Sequence, residues 1–155
     1  MHLVRLSLAA AAVLLAGDSA SAQEESCTGP ESATRLYVDV ERVRNSEGLI
    51  AVTLYADNSR KFLAKRGALY VGRVPARASV TTVCIHVPKP GIYGLAVYHD
   101  ADADRSFDRT GIGLPDEGYG FSNNAPVILG LPSFSAVRLS VPRTDMRTRV
   151  RLRYP

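Results

Sequence analysis

From Thr34 onward the chain alternates. Leu36, Val38 and Val40 are aliphatic, while Tyr37, Asp39 and Glu41 between them carry polar groups, the period-two signature of a strand with one face in a core. Ile50, Val52 and Leu54 repeat the pattern after Asn45-Ser46-Glu47-Gly48, a turn in which Gly48 suits positive φ. Two such runs around a short glycine-containing turn predict a hairpin. Asn58 to Pro75 has no regular period, although Arg60 to Gly67 suits one or two helical turns with Phe62 and Leu63 against the sheet and Gly67 as a stop. Thr81 to Val87 alternates again, with Val83, Ile85 and Val87 on one face and Thr82, Cys84 and His86 on the other. After the tight turn Pro88-Lys89-Pro90-Gly91, Ile92 to Tyr98 is almost continuously apolar and reads as a central strand buried on both faces. Gly94 and Ala96 permit close packing there. Phe134 to Val141 and Thr148 to Tyr154 alternate once more. In the last run Val150, Leu152 and Tyr154 face inward, and Arg149, Arg151 and Arg153 form a charged guard on an exposed strand.

About seven short strands without a long helix predict an all-β fold, an antiparallel β-sandwich of the immunoglobulin-like or transthyretin-like kind. One stretch does not suit an economical sandwich. Asp100 to Ser133 shows little periodicity, and ordered connections of that length tend to carry function.

That stretch opens with crowded acids. Asp100, Asp102, Asp104 and Asp108 follow His99 at the end of the apolar run, and like charges so close repel unless a cation or strong donors gather among them. The spacing is that of a hard-cation loop, with the Ser106 backbone carbonyl as a further oxygen. Position twelve of such a loop falls on Gly111, so Glu117 is the nearest candidate for a bidentate ligand. The predicted ion is Ca²⁺, held as a structural clip. The alternative is a set of turn-forming aspartates, solvated or paired with Arg105 and Arg109. His99 suits either a transition-metal ligand or general base, or a histidine satisfied by the loop backbone. His86 joins it only if the two strands align their ends on one face.

The chain begins with the marks of a targeting segment. Arg5 gives a positive start, Leu6 to Leu15 an apolar stretch, and Ala20-Ser21-Ala22 a small-residue cleavage site before Gln23. The apolar stretch falls short of a membrane span of about 20 residues, and Asp18 stands where a lipidated cysteine would be. Residues 1–22 are therefore expected to be a signal peptide, and residues 23–155 one exported domain, periplasmic or secreted. In an oxidising compartment Cys27 and Cys84 predict one disulfide. Net charge is +4, but the arginines are dispersed and no nucleic-acid motif accompanies them. No nucleic acid and no membrane span in the exported chain are expected.

Three further patterns carry a resemblance: Arg44-Asn45-Ser46-x-Gly48 before a strand ending Leu54-Tyr55; Pro90-Gly91-x-Tyr93 leading to Tyr98-His99-Asp100; and Gly111-Ile112-Gly113-Leu114-Pro115-x-Glu117-Gly118-Tyr119-Gly120-Phe121-Ser122-Asn123-Asn124-Ala125. On these the chain resembles the exported bacterial family catalogued as domain of unknown function 2141, over roughly Leu36 to Tyr154. The resemblance implies an exported β-rich domain without an assigned activity. It also implies a loop reading His-Asp, alternating Asp or Asn, then Gly and a final Asp. Arg105 stands at that glycine position, where a side chain with positive φ costs about 1–2 kcal/mol.

Glu117 to Ala125 places Tyr119 and Phe121 between glycines and before Ser122, Asn123 and Asn124. The glycines suit tight turns, and the aromatics suit either a ligand platform or a plug at the open end of the sandwich. His99, Tyr119, Phe121, Asn123 and Asn124 are the candidate ligand-loop residues. There is no nucleophile elbow and no HExxH. The expected function is an exported binding or structural module whose acidic loop holds Ca²⁺, its partner a cell-envelope component or small ligand. The alternative is a small hydrolase acting on an envelope glycan or ester through the loop carboxylates, since a carboxylate pair suffices for glycoside chemistry.

Overall fold

The computed structural model describes residues 26–128 and 131–155. The expected signal peptide and its cleavage site lie outside the described residues. The strands are β1 (Thr34–Val43), β2 (Leu49–Ala56), β3 (Tyr70–Pro75), β4 (Ser79–Val87), β5 (Gly91–Asp100), β6 (Gly118–Phe121), β7 (Leu139–Val141) and β8 (Met146–Arg151). A single helical turn, α1 (Phe134–Val137), precedes β7. The architecture is an all-β sandwich. A three-stranded sheet ordered β4-β1-β8 faces a five-stranded sheet in which β3-β2-β5-β6 are consecutive and β7 also pairs with β5.

Alternation decides which side chains meet between the sheets. Leu36, Val38 and Val40 of β1 and Val83, Ile85 and Val87 of β4 face Ile50, Val52 and Leu54 of β2 and Leu95 and Val97 of β5, all of them essentially inaccessible to water. Val150 and Leu152 complete this core from the C-terminal run. Each such side chain contributes about 1.5–3 kcal/mol on burial, which is why the strand faces read so clearly from sequence.

Partner choice differs from expectation in several places. β1 and β2 do not form a hairpin: β1 pairs with β4 and β8, β2 with β3 and β5. The Asn45–Gly48 turn therefore carries the chain from one sheet to the other. The β1–β8 pair is parallel, Leu36 opposite Met146 and Glu41 opposite Arg151, so the sandwich is not wholly antiparallel. The irregular stretch holds turns in place of the expected helix and then a strand, β3. Phe62 nevertheless packs on the sheet, edge-on to Tyr55 at 5.1 Å. Phe134–Val137 is helical where alternation suggested strand, and only Leu139–Val141 extends.

The outward arginines of β8 meet acids across the parallel pair: Arg147 pairs with Asp39, and Arg149 and Arg151 with Glu41. Cys27 and Cys84 form the expected disulfide. The segment before β1 lies along the edge of β4 and not across the sheet face. The Thr28 N–H donates to the Cys84 carbonyl, and the His86 N–H donates to the Thr28 carbonyl, each at 2.9 Å. Among the described residues no helix is long and apolar enough to cross a membrane.

Candidate functional site: an acidic loop against an aromatic groove

The acidic loop starts from a rigid anchor. Strand parity sends His99 inward, where it is 1% exposed. Its Nε2 donates to the Glu47 carbonyl at 2.8 Å, and its Nδ1 meets the Tyr154 hydroxyl at 2.8 Å. The Tyr154 oxygen in turn accepts the Arg44 N–H at 3.0 Å. Gly48, with φ +65°, sits so close that a Cβ there would lie 2.0 Å from the Asp100 carbonyl, so only glycine permits this contact. The Asn45–Gly48 turn and the His99-Asp100 end of β5, two separate sequence patterns, are thus one physical joint. His86, on β4, sits instead beside Ser32 and is not brought to His99.

Beyond this joint the loop wraps its own carboxylates. Asp100, wholly buried, accepts the Arg105 N–H on Oδ2 at 3.0 Å, while its Oδ1 is buried without a hydrogen-bond partner. Glu117, 8% exposed at the start of the β6 segment, accepts the Ala101 N–H on one oxygen and the Asp108 N–H on the other, each at 3.1 Å. Asp102 and Asp104 accept the N–H groups of Asp104 and Ser106. Asp100, Asp102 and Glu117 offer oxygens within 4.8 Å of one another, and so do Asp102, Asp104 and Asp108. Ligands at 2.3–2.6 Å from one Ca²⁺ are at most ~5 Å apart, so either group fits around an ion and Asp102 belongs to both.

No ion pair among the described residues balances these charges. Among the described residues neither Arg105 nor Arg109 forms an ion pair with them: Arg109 Nη1 donates to the Gly113 carbonyl at 3.0 Å and its guanidinium lies over the Phe107 ring. The electrostatic consequence is visible in two groups. Burial holds the Glu117 carboxyl above its ordinary value, with Asp100 and Asp108 adding to the rise against the two N–H donors. Lost hydration raises Asp108 likewise, and Asp104, Asp102, Asp116 and Asp100 add to it. Arg105 has φ +69°, the left-handed conformation that the glycine position implies.

The other face of the same loop closes a groove of about 460 Å³ on the outside of the five-stranded sheet. Phe107 and Arg109 line it, while Asp108 between them belongs to the acidic group. Its floor is Thr53 and Ala96, directly paired on β2 and β5. Tyr119 and Phe121 of β6 turn into the groove, opposite Tyr98 and Ala96. Gly118 and Gly120, expected to make turns, are in a strand: a Cβ on Gly120 would lie 2.7 Å from the Arg151 carbonyl, so they permit β6 to press against the C-terminal run. Asn123 and Asn124 do structural work instead of facing the groove. Asn123 donates to the Ala136 and Arg138 carbonyls, and Asn124 accepts the Arg151 N–H at 2.8 Å.

Sequence reasoning missed Arg73, which donates to the Tyr98 hydroxyl and to the Arg105 carbonyl and so ties β3 to the acidic loop. It also missed Tyr55 as a groove residue. Nothing in the stretch around Arg73 alternates, so no local signal marks it.

Fold and site together define a single-layer-pair β-sandwich carrying a self-capped acidic loop over an aromatic groove. The chain belongs to a family described as an uncharacterized protein conserved in bacteria (DUF2141), which matches residues 38–149. No curated protein and no solved structure matches it.

Proposed function

We propose that this protein is an exported binding or structural module whose acidic loop holds Ca²⁺. The observation that carries the reading is Asp100 Oδ1, a buried carboxylate oxygen with no hydrogen-bond partner beside the oxygens of Asp102 and Glu117. An unsatisfied buried charge is costly, and a divalent cation is the partner that satisfies three converging carboxylates at once. The ligand set is Asp100, Asp102 and Glu117, with Asp104, Asp108 and the Ser106 carbonyl on the outer side. The ion neutralises the loop and fixes Phe107 and Arg109, the wall of the groove. The disulfide supports an oxidising compartment, as does the leader-like start of the sequence. The hydrolase alternative draws no support from the groove, because its lining among the described residues contains no carboxylate.

Thermal unfolding in Ca²⁺ and in chelator tests this. For an extracellular-type affinity of ~10⁻⁴ M, 10 mM Ca²⁺ (about 100 times that value) stabilises by roughly 2.7 kcal/mol, several degrees in Tm. Asp100→Asn and Glu117→Gln abolish the shift. An unchanged Tm, or an equal shift in both variants, overturns the reading.

A further inference from the structure

The groove has the features of a built ligand site in its own right. Small residues make the floor and rings make the walls. Phe62 stands edge-on to Tyr55 at 5.1 Å and to Phe121 at 6.2 Å; Phe121 lies 6.0 Å from Tyr119, Tyr119 6.0 Å from Phe107, and Phe107 5.5 Å from Tyr98. The arc therefore runs from one side of the Thr53–Ala96 floor around to the other. Beside the groove, Phe62, Phe134 and Val137 pack over Gly94. Its volume of about 460 Å³ falls within the range of small-molecule sites, which are mostly apolar with a few placed polar groups.

Those polar groups are identifiable. Among the described residues no protein group hydrogen-bonds the hydroxyls of Thr53, Tyr55 or Tyr119, all of which line the groove. Burial, and then the neighbouring Tyr98, hold the Tyr55 phenol protonated above its usual range, so it stands as a donor. Among the described residues Arg109 is the one charged side chain in the lining, and it has no acidic partner there.

We propose that the groove binds a small amphiphilic anion, with a flat apolar body over Ala96 and Thr53 and an acidic group reaching the Arg109 guanidinium. Charge complementarity chooses the anion, and the ring of aromatic edges and faces chooses the flat body. This rests on the binding-module part of the reading above and names its ligand class. Because an ion in the acidic loop would firm the wall that carries Phe107 and Arg109, probe binding is read in 10 mM Ca²⁺ throughout.

The test uses two fluorescent probes of one shape: anilinonaphthalene sulfonate, which is anionic, and N-phenyl-naphthylamine, which is not. The full exported domain binds the anionic probe saturably at one site. Arg109→Gln weakens that probe about ten-fold or more, the scale of one charge-assisted hydrogen bond, and changes the neutral probe less than about two-fold. Ala96→Phe, which fills the floor, removes both. The proposal is overturned if binding is unsaturable, if Arg109→Gln weakens both probes alike or neither, or if a folded Ala96→Phe still binds. Should Ala96→Phe not fold, the Arg109 comparison decides alone. Calcium-dependent stabilisation is read separately by unfolding, so failure of either result is distinguishable from failure of the other.

Discussion

Arg105 shows how one backbone angle balances against one charge. At φ +69° it holds a conformation that costs a side-chain-bearing residue about 1–2 kcal/mol, and its N–H meets Asp100 while its guanidinium makes no ion pair with the acids. Arg105→Gly is therefore expected to raise the unfolding free energy by roughly 1 kcal/mol in urea titrations, offset in part by the freer unfolded chain. On the proposed calcium reading it should also strengthen binding of the ion, because a positive charge leaves the loop. A second residue-scale case is Asp57, which Arg138 grips through two N–H donors at 2.8 and 2.7 Å. That bond lowers the Asp57 pKa, with the charge of Arg138 assisting. The folded value lies below the unfolded one, so the contribution is present above about pH 4 and is lost as pH falls through the lowered value. Both groups are exposed and salt-screened, so the effect on stability is small. In Arg138→Gln, NMR titration should return Asp57 to the ordinary carboxylate range, while the acid limb of the stability curve stays nearly unchanged.

At the scale of elements, what the sequence revealed follows from what is local. Strict alternation told the inward faces of β1, β2 and β4 correctly, because a one-residue slip would turn every aliphatic side chain to water. β5, expected to be buried on both faces, instead leaves Ile92, Ala96 and Tyr98 half-buried on its outer face. β3 was illegible since Tyr70–Pro75 places apolar residues without period. β6 was illegible because its glycines read as punctuation, when they serve the approach of another strand. The spacing of the acids was legible, but Asp100 looked like its neighbours; that it alone lies wholly inside comes from the Gly48 turn folding over it. The disulfide belongs to this scale too. It joins residues 57 apart and fastens the leading segment to the edge of β4. Reduction is expected to lower the unfolding free energy by about 4 kcal/mol on the chain-entropy account, measured by denaturant titration with and without thiol reductant.

For the molecule as a whole, the decisive fact is non-local. β1 has β4 on one edge and β8, in parallel, on the other, with Leu36 opposite Met146. No turn or periodicity announces such a partnership, which is why a hairpin with β2 looked attractive. A chain ending at Val141 should accordingly lack Val150 and Leu152 from the core and show no cooperative unfolding transition by circular dichroism. There is a temporal side to this arrangement. While a ribosome is still making the protein, strand one has a vacant flank that only material emerging more than a hundred residues afterwards can occupy. Until residues 146–151 have been made, that flank of the emerging chain stays unpaired.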